Sequence, residues 1–264
     1  MAIGKLAIAA FVLGAIQAAP AMASTCTGNC GTLGPDGDVT APPPAAGSST
    51  YNWVSTSGGV AGQGQIAGVG GTNGSEFITS DFTANAGDKL DFFFDYVTSD
   101  GTGSFVDYSF AELLSGGSHV AWLFTARTNP SGDTSPGFGL PANDSTLNPA
   151  SVGVTPGATH WSPLGPGGSG RCYQGLGQGC GNTGWIESTY TVGTTGSYQL
   201  RLGVSNFGDT DYDSGLAFAG VTIGGVPVPT GGVPEPASWA MMLGGFAAIG
   251  GAMRARRKTS VSFA

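Results

Sequence analysis

Between Tyr51 and Gly224 apolar and polar residues alternate in short runs, and the alternation has a period of two. It is clearest in Tyr198, Leu200, Leu202 and Val204, and again in Leu90, Phe92, Phe94 and Tyr96. Successive side chains of a strand point to opposite faces, so this spacing predicts strands with one buried face. Eight runs qualify: 51–56, 75–84, 88–98, 104–114, 118–127, 185–192, 196–205 and 215–224. Turn pairs separate them, among them Gly87-Asp88, Asp100-Gly101, Gly116-Gly117 and Thr195-Gly196. No segment of this region keeps a helical period. Phe105–Leu114 is long enough for a short helix, but Val106, Tyr108 and Phe110 alternate. Strand count and spacing predict an all-β fold, an antiparallel β-sandwich over residues 51–226. Runs 88–98 and 118–127, dominated by aromatic and β-branched residues, are expected at central positions.

Several stretches break the alternation. Residues 24–50 contain Pro42-Pro43-Pro44 with many Gly, Ser, Thr and Ala, and read as a flexible arm. Residues 128–182 are rich in Pro, Gly and Asn. So long a connection is unusual inside a compact domain, and it reads as an elaborated binding loop or a poorly ordered insertion. Residues 227–232 read as a linker. At the N-terminus, residues 1–23 read as a signal peptide: Lys5, the short apolar run Leu6–Ile16, then Ala21-Met22-Ala23. Cleavage is expected between Ala23 and Ser24. At the C-terminus the 17 apolar residues 237–253 precede Arg254, Arg256, Arg257 and Lys258. As a helix they cover about 25 Å, the lower limit for a transmembrane span, and the basic cluster would stay in the cytoplasm.

Pro234-Glu235-Pro236, then Trp239-Ala240-Met241-Met242, Gly245-Phe246 and the closing Arg254, Arg256 and Arg257 resemble the PEP-CTERM sorting signal of Gram-negative bacteria over residues 233–258. The resemblance implies export across the inner membrane by the export machinery, with transient anchoring by the C-terminal helix; the signal peptide at residues 1–23 adds signal peptidase as a partner. It implies recognition of the Pro-Glu-Pro segment by an exosortase-type membrane peptidase, removal of the tail, and a final place at the cell surface or outside the cell. It also implies an association with exopolysaccharide and biofilm. Between the two ends, Phe77–Ala84, Gly87-Asp88 and Tyr212–Phe218 resemble secreted sandwich domains that accompany this signal and, in outline, carbohydrate-binding jelly rolls, which implies a jelly-roll-like sandwich.

Composition narrows the reading. Forty-eight Gly, 16 Pro and only 10% charged residues exclude a coiled coil or helical bundle. A net charge of -8 argues against a nucleic-acid partner. The charge is also unevenly placed. Between Ser24 and Val233 the only basic residues are Lys89, Arg127, Arg171 and Arg201, against 16 acidic ones, a balance of -12. All four cysteines, Cys26, Cys30, Cys172 and Cys180, lie in this part. An even count in an exported chain favours disulfides over a zinc site. Three pairings are possible, and the local one, Cys26–Cys30 with Cys172–Cys180, is expected.

Candidate chemistry is sparse. Asp209, Asp211 and Asp213 are spaced by two, and in an extended segment they would share a face suited to Ca²⁺. The pattern departs from an EF-hand, because Ser214 stands at the glycine position and Gly220 at the twelfth. Trp122 reads as core. Trp161, beside Pro163 in the polar long loop, and Tyr173, between Cys172 and Cys180, form a candidate platform for a sugar ring. There is no Gly-x-Ser-x-Gly elbow. His119 and His160 read as surface or capped residues, and Asp91 and Asp95 as charges guarding an aromatic strand. The expectation is a non-catalytic surface or matrix protein. The alternatives are a secreted carbohydrate-binding module with structural calcium, or a secreted hydrolase.

Overall fold

The computed structural model describes residues 23–100, 105–129, 132–173 and 179–230, together with Phe246. Nine strands precede the long loop: β1 (Thr25–Thr27), β2 (Asn29–Leu33), β3 (Tyr51–Ser55), β4 (Val60–Ala61), β5 (Asn73–Ile78), β6 (Phe82–Ala84), β7 (Lys89–Thr98), β8 (Tyr108–Ser115) and β9 (Ser118–Ala126). The loop contributes β10 (Thr146–Asn148), β11 (Thr155–Pro156) and β12 (Gly181–Asn182). Then follow β13 (Ile186–Thr191), β14 (Gly196–Ser205), β15 (Ser214–Ile223) and β16 (Val226–Pro227).

The strands form two antiparallel sheets packed as a sandwich. The first runs β1-β5-β14-β8-β9, with β4 added to β5 and β6 to β14. The second runs β10-β13-β7-β15-β3-β2, with β12 on β7, β11 on β12 and β16 on β15. The period-two residues meet between the sheets. Leu90, Phe92, Phe94 and Tyr96 of β7 share one apolar core with Tyr198, Leu200, Leu202 and Val204 of β14. Phe94 stacks on Phe124 of β9 with centroids 3.7 Å apart.

Strand β7 is central, between β13 and β15, as its aromatic content predicts. Its odd residues are covered too: Phe93 and Val97 join a second cluster on the outer face, with Val39, Tyr51, Trp161 and Ala217. The expectation for 118–127 is corrected, because β9 is the last strand of its sheet. It is apolar because Ala121, Leu123, Phe124 and Ala126 face the core between the sheets, and its outer backbone edge is covered separately. The Trp122 and Thr125 N–H groups donate to the Asp144 and Asn143 side chains at 2.8 and 2.9 Å. Asp144 N–H and Gly137 N–H donate to the Trp122 and Thr125 carbonyls at 2.8 and 3.0 Å. The loop thus covers an edge that would otherwise offer unpaired backbone groups.

The flexible arm expected over 24–50 is also corrected. Strand β1 pairs with β5 in one sheet and β2 with β3 in the other. Val39 is fully buried on the second sheet. Gly37 has φ +58°, and a Cβ there would lie 1.9 Å from the His160 carbonyl oxygen. Only glycine allows the arm to lie so close to the loop. Asp38 N–H donates to His160 O at 2.8 Å, and the His160 and Ser162 N–H groups donate to the Asp38 and Asp36 carboxylates at 2.6 and 2.7 Å.

Both local disulfides are formed, Cys26–Cys30 and Cys172–Cys180. The first joins β1 of one sheet to β2 of the other. Among the described residues no helix is long and apolar enough to cross a membrane. The 237–253 span, apart from Phe246, lies outside the described residues. So do Pro234, Glu235, Pro236, Trp239, Arg254, Arg256 and Arg257, and residues 1–22 of the signal peptide.

Candidate functional sites

The sugar platform is not assembled. Trp161 is 1% exposed. Its indole N–H donates to the Tyr51 hydroxyl at 2.9 Å, and its ring packs edge-on against Trp53 with centroids 6.5 Å apart. Below it lies Gly215 of β15, where a Cβ would come within 2.4 Å of the indole ring. Trp161 therefore seats the long loop on the outer face of the second sheet. Tyr173 packs elsewhere, against Phe105 and Tyr212 at 6.1 and 5.2 Å. Polar sequence neighbours made Trp161 read as exposed, and the cover supplied by Tyr51 and Gly215 is invisible locally.

The three aspartates do not share a face. The chain bends through 208–213, and Tyr212 takes a left-handed φ of +57°, which breaks the alternation. Asp213 turns inward, its Oδ1 accepting from the Thr56 hydroxyl at 3.0 Å. Asp209 Oδ1 accepts the Asp211 N–H at 3.1 Å. Among the described residues no group of three or more His, Cys, Asp or Glu is arranged to hold a metal ion. The calcium expectation for this trio finds no cage.

This end of the sandwich still concentrates acid. The Asp100 carboxylate is buried, and neither oxygen is hydrogen-bonded to a described residue. Burial, then repulsion from Asp209 and Asp211, pushes its pKa up to about 8. Asp107 is fully buried; it accepts from the Ser214 hydroxyl at 2.6 Å and the Phe207 N–H at 2.9 Å. Burial nevertheless holds it well above the usual carboxylate range.

The reading of Asp95 is corrected as well. It does not guard a solvent face, because it is 1% exposed, beneath the loop on the outer side of β7. Thr183 donates to its Oδ1 at 3.3 Å. Burial outweighs that bond and raises its pKa to about 7. Asp91, four residues earlier, is only partly covered and accepts from Thr189 at 2.6 Å.

The most organised polar surface lies on the outer face of the first sheet, across four neighbouring strands. Arg201 of β14 donates through Nε and Nη2 to Glu76 Oε2 of β5 at 2.9 and 2.8 Å. Its Nη1 donates to Glu112 Oε2 of β8 at 3.0 Å. Glu112 Oε1 is 2.8 Å from His119 Nδ1 of β9. The guanidinium lies 5.0 Å over the Phe110 ring, and the His119 ring lies 4.7 Å from that of Trp122. Trp122 is therefore half-buried on this face and not in the core between the sheets. The network borders a groove of about 380 Å³, also lined by Gln63 and Gln199. Sequence reasoning passed over it, although one signal was present. Inward Leu200 and Leu202 leave Arg201 facing outward, and Arg201 is one of only four basic residues between Ser24 and Val233.

The described domain ends at Thr230, whose hydroxyl accepts from Asn52 Nδ2 at 2.9 Å. Beyond it comes the tail. Residues 232–258 match the PEP-CTERM protein-sorting motif. The match begins one residue before the stretch that carries the sequence resemblance and ends with it at Lys258. The PEP-CTERM motif implies export, transient membrane anchoring and a membrane peptidase as processing partner. It spans the tail alone, so the sandwich has to be read from its own residues. No curated protein matches the chain significantly.

Proposed function

We propose that this is an exported, non-catalytic component of the cell surface or extracellular matrix, cleaved through its PEP-CTERM motif and associated with exopolysaccharide. The observation that carries the reading is the motif at 232–258, joined directly to a folded acidic sandwich. A non-catalytic role is supported by the state of the thiols, which are not available as nucleophiles. The four cysteines are paired in disulfides. Mass spectrometry of the released protein tests the sorting step. The expected product starts at Ser24 and lacks Arg254 to Lys258; an extracellular product with Arg256 and Arg257 intact would refute processing.

The groove on the first sheet favours a second reading, the binding of a neutral glycan. Sugar hydroxyls are recognised by planar polar groups held in place in a groove. Here Glu76, Arg201 and Glu112 are fixed by one another, and Gln63, Gln199 and His119 line the same groove. Two carboxylates against one guanidinium disfavour an anionic polymer. In affinity electrophoresis through neutral polysaccharide, the double variant Gln63→Ala with Gln199→Ala is expected to bind roughly tenfold more weakly, as for the loss of two modest hydrogen bonds. Equal retardation of variant and wild type would remove this reading.

A further inference from the structure

Both ends of the described domain lie at one edge of the sandwich. Ser24, Cys26, Cys30, Asn52, Phe77 and Thr230 line a single groove of about 210 Å³. Strand β1 is the outermost strand of the first sheet on this side and β2 that of the second, and Cys26–Cys30 clamps them together. The C-terminal segment is held up to this point. Val228 is buried in the core, and its N–H donates to Val221 O at 2.9 Å. Two residues later Asn52 holds the Thr230 hydroxyl.

Pro234, the first residue of the Pro-Glu-Pro segment, is four positions beyond Thr230. An extended chain spans at most about 3.6 Å per residue, so Pro234 lies no more than about 14 Å from Thr230. The sandwich is wider than that. Four strand steps across the first sheet cover about 19 Å, and five across the second about 24 Å. A tether shorter than the body it holds does not let that body turn freely.

We propose that the β1/β2 edge is the surface that faces the membrane peptidase during sorting, so that the domain meets the enzyme with this edge foremost. The proposal rests on the reading of the tail as a processed sorting motif. Two further observations support it. Ser24, the expected first residue of the mature chain, lies in the same groove, so both membrane-directed ends leave from one edge. The edge also suits a membrane surface better than the rest of an acidic domain. Residues 24–35 contain no charged side chain. The acid beside Thr27 is Glu76, which is already tied to Arg201.

Photo-crosslinking in the exporting cell, on the full-length chain, tests the orientation. A photoreactive residue replaces Thr25 or Thr32 on this edge, or Ser118 or Thr146 on the far edge; all four are exposed. Crosslinks to the peptidase are expected at least tenfold more often from Thr25 and Thr32. Equal yields from both edges overturn the proposal. A twelve-residue Gly/Ser insert after Thr230 is the second arm. It lengthens the tether to about 20 Å or more in root-mean-square reach, which should even out the crosslinks while cleavage continues. A preference for one edge that survives the insert would also overturn it, because the tether would then not set the orientation. The two readings fail differently. A tail never removed sinks the sorting reading and this proposal together, whereas a tail removed with uniform crosslinks sinks the orientation alone.

Discussion

Replacing Trp161 with alanine is expected to lower folding stability by about 3–5 kcal/mol, the usual cost of emptying a large aromatic site in a core. The indole fills the space between Tyr51, Trp53 and the bare backbone of Gly215. Its removal also leaves the buried Tyr51 hydroxyl without its donor. The cavity cannot easily collapse, because β3 and β15 are fixed in the second sheet. With urea slopes of about 1–3 kcal/mol per molar, the unfolding midpoint should fall by more than 1 M. Trp122→Ala is the control. That ring is only half-buried, on the outer face of the first sheet, so its loss should cost clearly less. Equal costs for the two variants would mean that Trp161 does not anchor the long loop.

The second large effect is a dependence of stability on pH. Burial raises Asp95 to a pKa of about 7, against 3.8 in the unfolded chain. Between those values the folded state holds a proton that the unfolded state has lost. Stability from this group is therefore greatest below about pH 4, falls as the pH rises toward 7, and is flat above. A difference of roughly three pKa units corresponds to at most about 4 kcal/mol. Asp95→Asn removes the titration and keeps a side-chain oxygen for Thr183. The variant is expected to be more stable than wild type at pH 8, by about 2–4 kcal/mol, and to show a shallower decline from pH 4.5 to 8 in urea unfolding. Some slope should remain, because Asp100, Asp107 and Asp213 are raised in the same direction. An unchanged slope would place the bound proton on those residues and not on Asp95.

Much of the architecture was legible in short windows. The alternation in 88–98 and 196–205 marks β7 and β14 as strands with one face in the main core, and the structure places both there. The cysteine spacings allowed local pairing, and both local bonds form. Strand order was not legible. Run 118–127 reads as central because it is apolar, yet β9 is an edge strand whose backbone is covered by residues 134–145. Side chains that face the core give an edge strand the same composition as a central one.

The candidate sites show the same limit. Asp209, Asp211 and Asp213 alternate in sequence, and one left-handed residue, Tyr212, is enough to turn them apart. The Glu76–Arg201–Glu112–His119 network joins β5, β14, β8 and β9, with 125 positions between Arg201 and Glu76. No periodicity relates side chains that far apart.

By itself the sequence determined the linear features: strands with period-two alternation, a sandwich class, cysteines close enough for local bonds, and a sorting motif read as a contiguous stretch at 232–258. The strands and the cysteine pairs depend on neighbours within about a dozen residues, where covalent geometry decides which side chains share a face; the motif is one contiguous stretch, and the class follows from the number of strands. Tertiary structure alone decided which faces are covered. Residues 36–47 and 159–170 close over the second sheet, and this makes Trp161 an anchor, raises the pKa of Asp95, and turns the supposed arm into part of the body. The physical reason is that burial is a property of the assembled surface: a residue becomes interior when a distant segment excludes water from it, and that segment leaves no mark on the residue's own neighbours in the chain.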